Sequence, residues 1–336
     1  MKKIVTLVLA FMLVLSAFAF SSCSDERPAG KAVDLSAKDS VKVGIIQYMP
    51  HPSLDNCTAG IREALEASDF ASKLDIDVQI GSSASADSDC ESYAAQMVAK
   101  KYDIIFAVAT PAAMVAFAAT ESIPVIFCAV SDPLAANIVK TNENPYYNAT
   151  GTSDVLDLAA QLDLIQAMQP DVKTIGVLYT TSEANSISNL ARMRELAKAR
   201  NLVIEASGVQ NASDIPTAAA DLASRVDCFN NFTDNNVVEN LSVVLEAAGR
   251  ASIPVYGSEV EQVKNGCLAS VSIDYVALGK VTGEMGLKVM KGTAPGTIAV
   301  RTISDATPVI NTDVVSALGM KIPENFQNAE FVTTNH

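Results

Sequence analysis

VKVGIIQY at Val41–Tyr48 and VKTIGVLY at Val172–Tyr179 decide how this chain is read. Each is a short apolar run rich in Val and Ile, the pattern of a strand buried on both faces. Each is followed by a helix-like stretch, near Leu54–Ser68 in one case and over Asn185–Ala199 in the other. The first run leads into a strand at Val78–Gly81, a helix near Glu91–Lys101, a strand at Asp103–Ala109, a helix at Pro111–Thr120 and a strand at Ile123–Val130. The second leads into Leu202–Ser207, Asp214–Ser224, Asp227–Phe232, Val237–Arg250 and Ile253–Gly257 in the same order. Matched segments recur at an offset of roughly 130 residues, far beyond the period of a solenoid, and this predicts two lobes of one topology. Strands alternating with helices predict right-handed βαβ units and parallel sheets. The fold class is therefore α/β, with two Rossmann-like lobes joined by a multi-stranded hinge.

The tail supports the hinge. Cys267–Ile273 is strand-like, Val276–Met290 helical and Thr297–Ile303 extended. The expected division is lobe 1 at 41–152 plus 275–300 and lobe 2 at 153–274 plus 301–325, linked through NATGTSD at Asn148–Asp154. A hinge of several strands restricts motion to bending, as closure of a cleft requires.

Residues 1–22 read differently from the rest. Lys2 and Lys3 precede an apolar stretch from Ile4 to Phe20, and Ser21, Ser22 and Cys23 follow. This is the pattern of a secretory signal peptide, with a plain N-terminal anchor as the alternative. The Cys after two Ser resembles a bacterial lipoprotein box, which implies a lipidated Cys23 as the mature N-terminus. Phe20 departs from the usual Leu three places before that Cys. Residues 23–40 are polar, contain Pro28 and Gly30, and are expected to form a flexible tether.

The formal charge of −14 argues against nucleic acid as a partner. Six Cys without CxxC spacing and only two His, at 51 and 336, give no support for a zinc site. Buried reduced thiols are expected for the remaining five once Cys23 is lipidated. Neither GxGxxG after the first strand nor GxxxxGK[ST] is present, and no GxSxG elbow occurs. No cofactor is expected and no catalytic residue is assigned.

In open parallel sheets ligands sit beyond the carboxyl ends of the strands, so two facing sheets place those ends on the walls of one cleft. Thr110-Pro111-Ala112-Ala113 follows DIIFAVA as a capped helix start. The N–H groups of Ala112 and Ala113 with the helix dipole form a candidate anion site. Ser131-Asp132-Pro133 is either a turn or part of the cleft wall. Thr233-Asp234-Asn235 takes the matching place in lobe 2, with Asp234 able to accept from an ammonium group. Ser258, Glu259 and Asp274 follow later strands, and Gln47 and Tyr48 close the first. Tyr48 offers an apolar face to a ligand side chain. His51 is read as a rim residue.

These residues resemble the ABC-transporter substrate-binding proteins of the tryptophan/tyrosine-binding type, within the type I periplasmic-binding-protein fold. The similar stretches are VGIIQYMPHPSLD (Val43–Asp55), ATPAA (Ala109–Ala113), VSDP (Val130–Pro133), NATGTSD, LYTTSEANS (Leu178–Ser186), TDN (Thr233–Asn235) and IDYVALG (Ile273–Gly279). Together they run from about Val41 to about Gly292. The resemblance implies a monomeric, extracytoplasmic lipoprotein that captures an amino-acid ligand, aromatic in the better-understood members, for a permease and its ATPase. It implies that Thr110 and Ala112 hold the ligand carboxylate, Asp274 with Glu259 the ammonium, and that Tyr48 meets the side chain. Phe232 stands where the family usually has Pro. A sensor of the same fold and an isomerase-type enzyme are the alternatives.

Overall fold

The protein is described by a computed structural model over residues 27–303 and 307–335. The signal-peptide reading and Cys23 fall outside these residues. Lobe 1 opens with β1 (Val41–Gln47), α1 (Pro52–Glu66), β2 (Leu74–Ile80), α2 (Ala86–Ala99), β3 (Ile104–Val108), α3 (Thr110–Ala119), β4 (Val125–Cys128) and β5 (Ala149–Ser153). Lobe 2 follows with α4 (Leu158–Met168), β6 (Thr174–Thr180), α5 (Ala184–Lys198), β7 (Val203–Val209), α6 (Ile215–Ala223), β8 (Cys228–Asn230), α7 (Asn235–Glu239), α8 (Leu241–Ala251), β9 (Val255–Tyr256), α9 (Val260–Lys264) and β10 (Ala269–Ser272). Then come α10 (Tyr275–Met290), β11 (Arg301–Thr302), β12 (Thr307–Asn311), α11 (Thr312–Ala317) and β13 (Glu330–Val332).

The predicted repeat appears in the sheets. Lobe 1 has the order β11-β5-β4-β3-β1-β2, all parallel, and lobe 2 contains β7-β6-β8-β9, also parallel. Read from the second strand, both lobes run 2-1-3-4. Leu268 N–H donates to Val255 O and Gly257 N–H to Ala269 O, which joins the smaller β10-β12-β13 sheet to the lobe-2 sheet. The central strands β3 and β4 are buried at every position, as helices on both faces require.

The α10 helix returns the chain to lobe 1 by packing on α1 through glycine. A Cβ on Gly279 would lie 2.2 Å from Cys57 O, one on Gly60 2.2 Å from Val276 O, and one on Gly286 2.3 Å from the Phe106 ring. The backbones of the two helices are thus in direct contact, and no larger residue fits at the crossing.

Three expectations need correction. NATGTSD is not the link: Ala149–Ser153 forms β5, fully buried in the lobe-1 sheet. Its hydroxyls made it look like a loop, but each is satisfied inside. Thr150 donates to Ile298 O at 2.6 Å and Thr152 lies 2.7 Å from Thr282 Oγ1. Arg301 and Thr302, assigned to lobe 2, pair with β5 and extend lobe 1. The chain therefore crosses between lobes at 154–157, at 273–274 and between Thr302 and Thr307. The last correction concerns the tether. From Arg27 onward it is packed along lobe 1: Gly30 N–H donates to Tyr146 O, Leu35 is buried with its N–H on Met290 O, and Lys38 pairs with Asp103 at 2.5 Å.

Candidate functional site

The two lobes meet. Ser131 Oγ lies 3.3 Å from Thr233 Oγ1, Ser188 donates to Asp132 at 2.5 Å, and His51 Nε2 sits 3.4 Å from Asn235 Oδ1. Between them is a narrow cavity, in which the lobes leave little free space. Its lining comes from the carboxyl ends of the strands and the helix starts beyond them. Lobe 1 contributes His51, Ser53, Leu54, Ala109, Thr110, Ala129 and Ser131; lobe 2 contributes Asn185, Thr233, Asn235, Val238 and Glu259; the crossings contribute Asp154 and Tyr275.

The lobe-1 wall is under-satisfied. Thr110 Oγ1, Ser53 Oγ and His51 Nδ1 are buried without a hydrogen-bond partner of normal geometry among the described residues, as is Asn185 Oδ1 across the cavity. Buried polar atoms cost free energy when left unpaired, and native proteins rarely leave several in one place. Burial pushes the His51 imidazolium down to about 4, so the ring is neutral at physiological pH. Thr110 starts α3, whose first-turn N–H groups have no acceptor within the helix. The turn into it is strained: Ala109 has φ 81 and ψ 156, a region that side chains avoid, and Ala129, after β4, has φ 55. Both alanines line the cavity.

Two carboxyl groups also line it. Asp154 is buried and accepts from Ser131 Oγ at 2.9 Å and Tyr275 Oη at 3.0 Å. Burial raises its pKa, and those two bonds oppose the rise. Glu259 caps α9 by accepting from Glu261 N–H at 2.7 Å and Gln262 N–H at 2.8 Å. Burial pushes it up to about 7 against the pull of those bonds and of the nearby Ser53 hydroxyl. Among the described residues, no Lys or Arg lines the cavity. Such a site favours a ligand that brings its own positive charge to the carboxylates and offers a negative group to uncharged donors.

Of the residues singled out in the sequence, Thr110, Ser131, Thr233, Asn235 and Glu259 come together here. The others do not. Asp274 is exposed and caps α10, accepting from Val276 and Ala277 N–H. Asp234 is saturated inside lobe 2, accepting from the N–H groups of Thr180 and Val237 and the hydroxyls of Thr180 and Ser186. Tyr48 donates to Asp87 at 2.9 Å and faces an outer cleft, away from the cavity. Gln47 is spent within lobe 1 on Met49 O, Asp55 and Thr58. Ser258 faces a neighbouring groove with Leu156 and Arg192. Asp132 bridges the lobes outside the cavity. Ala112 and Ala113 are buried behind the wall, and Ala113 N–H is already taken by Ala109 O. The positions not assigned to the site from sequence, Ser53, Leu54, Ala109, Ala129, Asp154, Asn185, Val238 and Tyr275, mostly fall inside or beside the motifs already quoted. His51, read as a rim residue, belongs to the wall.

The family described as "ABC transporter substrate binding protein" matches residues 42–332. The chain belongs to that family. It is 34% identical over 323 residues, 95% of this chain and 93% of the relative, to the tyrosine-binding protein of Clostridioides difficile (strain R20291). Among solved structures it is similar to an ABC domain in complex with L-Trp from Streptococcus pneumoniae, with 33% identity, a TM-score of 0.84, and coverage of 87% of this chain and 100% of that one. It is also similar to the ligand-free, open structure of a substrate-binding protein with adhesive properties from Clostridium difficile, with 36% identity, coverage of 88% and 100%, but a TM-score of only 0.67. In this chain the contacts between Ser131 and Thr233, Ser188 and Asp132, and His51 and Asn235 join the two lobes across the cavity.

Proposed function

We propose that this substrate-binding protein captures an α-amino acid with an aromatic side chain, for uptake without chemical change, while tethered outside the cytoplasm through a lipidated Cys23. The observation that carries the ligand class is the polarity of the closed cavity. Unpaired Thr110 Oγ1 at the start of α3 offers a carboxylate its donors, and buried Asp154 and Glu259 offer an ammonium its counter-charge. Leu54, Ala109, Ala129, Val238 and Tyr275 supply apolar surface for the side chain. The tyrosine- and tryptophan-linked relatives support the aromatic choice.

The test is a thermal-shift panel. Tyrosine, tryptophan and phenylalanine are compared with tyramine, which lacks the carboxylate, and 3-(4-hydroxyphenyl)propionate, which lacks the ammonium. At a free concentration of about 100 times its dissociation constant, a true ligand adds about 2.7 kcal/mol. An aromatic amino acid raises the midpoint, both analogues fail, and the ligand is recovered unaltered. Equal stabilisation by tyramine would overturn the zwitterion assignment.

A further inference from the structure

The segment leading out of the N-terminus is strapped to one end of the molecule. Arg27 donates to the carbonyls of Phe117 and Thr120 at the end of α3, and its guanidinium lies 3.6 Å from the centre of the Phe117 ring. Gly30 packs directly on the Tyr147 carbonyl, where a Cβ would lie 2.2 Å from the oxygen. The strap continues over Met290 and Asp103, which stand at the end of α10 and before β3. All these contacts sit at the amino ends of the lobe-1 strands. α3 starts at the cavity and is ten residues long, so its far end lies about 15 Å away from it. The strap thus crosses the pole of lobe 1 opposite the cleft.

This fixes how far the body can stand from a membrane. Only three residues, Ser24, Asp25 and Glu26, lie between Cys23 and Arg27, and the four Cα–Cα steps reach at most about 14 Å. A free tether of about 18 residues, from Cys23 to β1, would average about 24 Å and let the body tumble. The pole carries surface chemistry that tolerates headgroups: half-buried Tyr146 and Tyr147, with Lys140 lying 4.5 Å from the Tyr146 ring centre, and exposed Lys31. Glu121 lies beside Arg27, so charge alone does not select this face; the length of chain does.

We propose that the Arg27 clamp turns the lipid tether into an oriented mount, which holds the lobe-1 pole around Phe117 and Tyr146 against the bilayer surface and leaves lobe 2 as the distal, moving lobe. This rests on the lipidation of Cys23 proposed above.

The experiment uses the full-length, lipidated protein in phosphatidylcholine–phosphatidylglycerol vesicles carrying an acceptor-labelled lipid. A donor dye is placed on Glu143→Cys, at the lobe-1 pole, or on Asp171→Cys, at the amino end of β6 on the lobe-2 pole; the native thiols at 57, 90, 128, 228 and 267 are buried and do not compete. Energy transfer at 143 is expected to be at least about twofold that at 171, given the short reach of the anchor. Arg27→Ala should bring the two values together while the protein stays on the vesicles. Equal transfer at both sites in the unsubstituted background, or no response to Arg27→Ala, overturns the oriented mount and leaves the strap as packing only. Protein that fails to sediment with vesicles, like a Cys23→Ala control, removes the anchor and the proposal with it.

Discussion

Lobe 1 and lobe 2 repeat one topology but treat their equivalent helix starts in opposite ways. In lobe 1 the turn from β3 into α3 passes through strained Ala109 and leaves Thr110 Oγ1 unpaired. In lobe 2 the turn from β8 into α7 is filled by the protein's own acids. Asp234 takes four hydrogen bonds, and Glu183 takes the N–H groups of Asn235 and Asn236 together with the side-chain amides of Asn185 and Asn235. One helix start is open to a guest anion; the other is already occupied. On the proposed reading, a duplicated scaffold gives a one-way site, in which a zwitterion has only one orientation that satisfies its charges.

The sharpest way to break this asymmetry is at Asp154. Asp154→Asn keeps the shape and removes the counter-charge. Calorimetric titration with the preferred amino acid should show a loss of about 2–5 kcal/mol in affinity, the usual cost of unpairing a buried charge. Retained affinity would move the ammonium to Glu259 alone. Next in size is Asp234→Asn, which strikes the filled helix start. Hydrogen bonds to a charged group contribute about 1.5–3 kcal/mol each at most, so chemical denaturation should show a stability loss of that order, with affinity for the amino acid changed much less than by Asp154→Asn.

A smaller, graded effect comes from pH. Burial, with repulsion from Asp234, holds Glu183 well above the usual carboxylate range, and Glu259 is pushed up to about 7. A carboxyl whose pKa is raised on folding binds more protons folded than unfolded. Its stabilisation is complete below about 4.5 and is lost as pH rises through about 7. The ligand-free melting temperature should therefore fall from pH 5 to pH 8, and Glu183→Gln should flatten the slope. An ammonium favours the ionised carboxylates, so the ligand-induced shift should grow over the same interval, with proton release visible as a buffer-dependent binding enthalpy. The smallest effect is expected at Asp274→Ala. The loss of one N-cap costs about 1 kcal/mol, and affinity stays near normal because the side chain is outside the cavity.

Asp274 also shows where the sequence stops being informative. Strand runs such as VKVGIIQY and DIIFAVA are legible because burial on both faces demands continuous Val and Ile. The topology follows from their order. An Asp after a strand and before a helix is equally a cap or a ligand contact in sequence. Only the direction of its side chain separates the cases, and that depends on packing between distant segments. Asp154 was hidden for the opposite reason: ATGTS reads as a loop until Thr150 and Thr152 are seen to find partners on a segment well over a hundred residues later. Thr110 was legible because Thr-Pro at a helix start is a local signal. The unpaired state of its hydroxyl was not.

Ala109 carries one more consequence. Its backbone angles suit glycine, and such a residue costs on the order of 1–3 kcal/mol to hold there. Ala109→Gly would relax the joint, yet the methyl it deletes is part of the cavity wall. Relief of the strain at this joint would thus come with a roomier cavity.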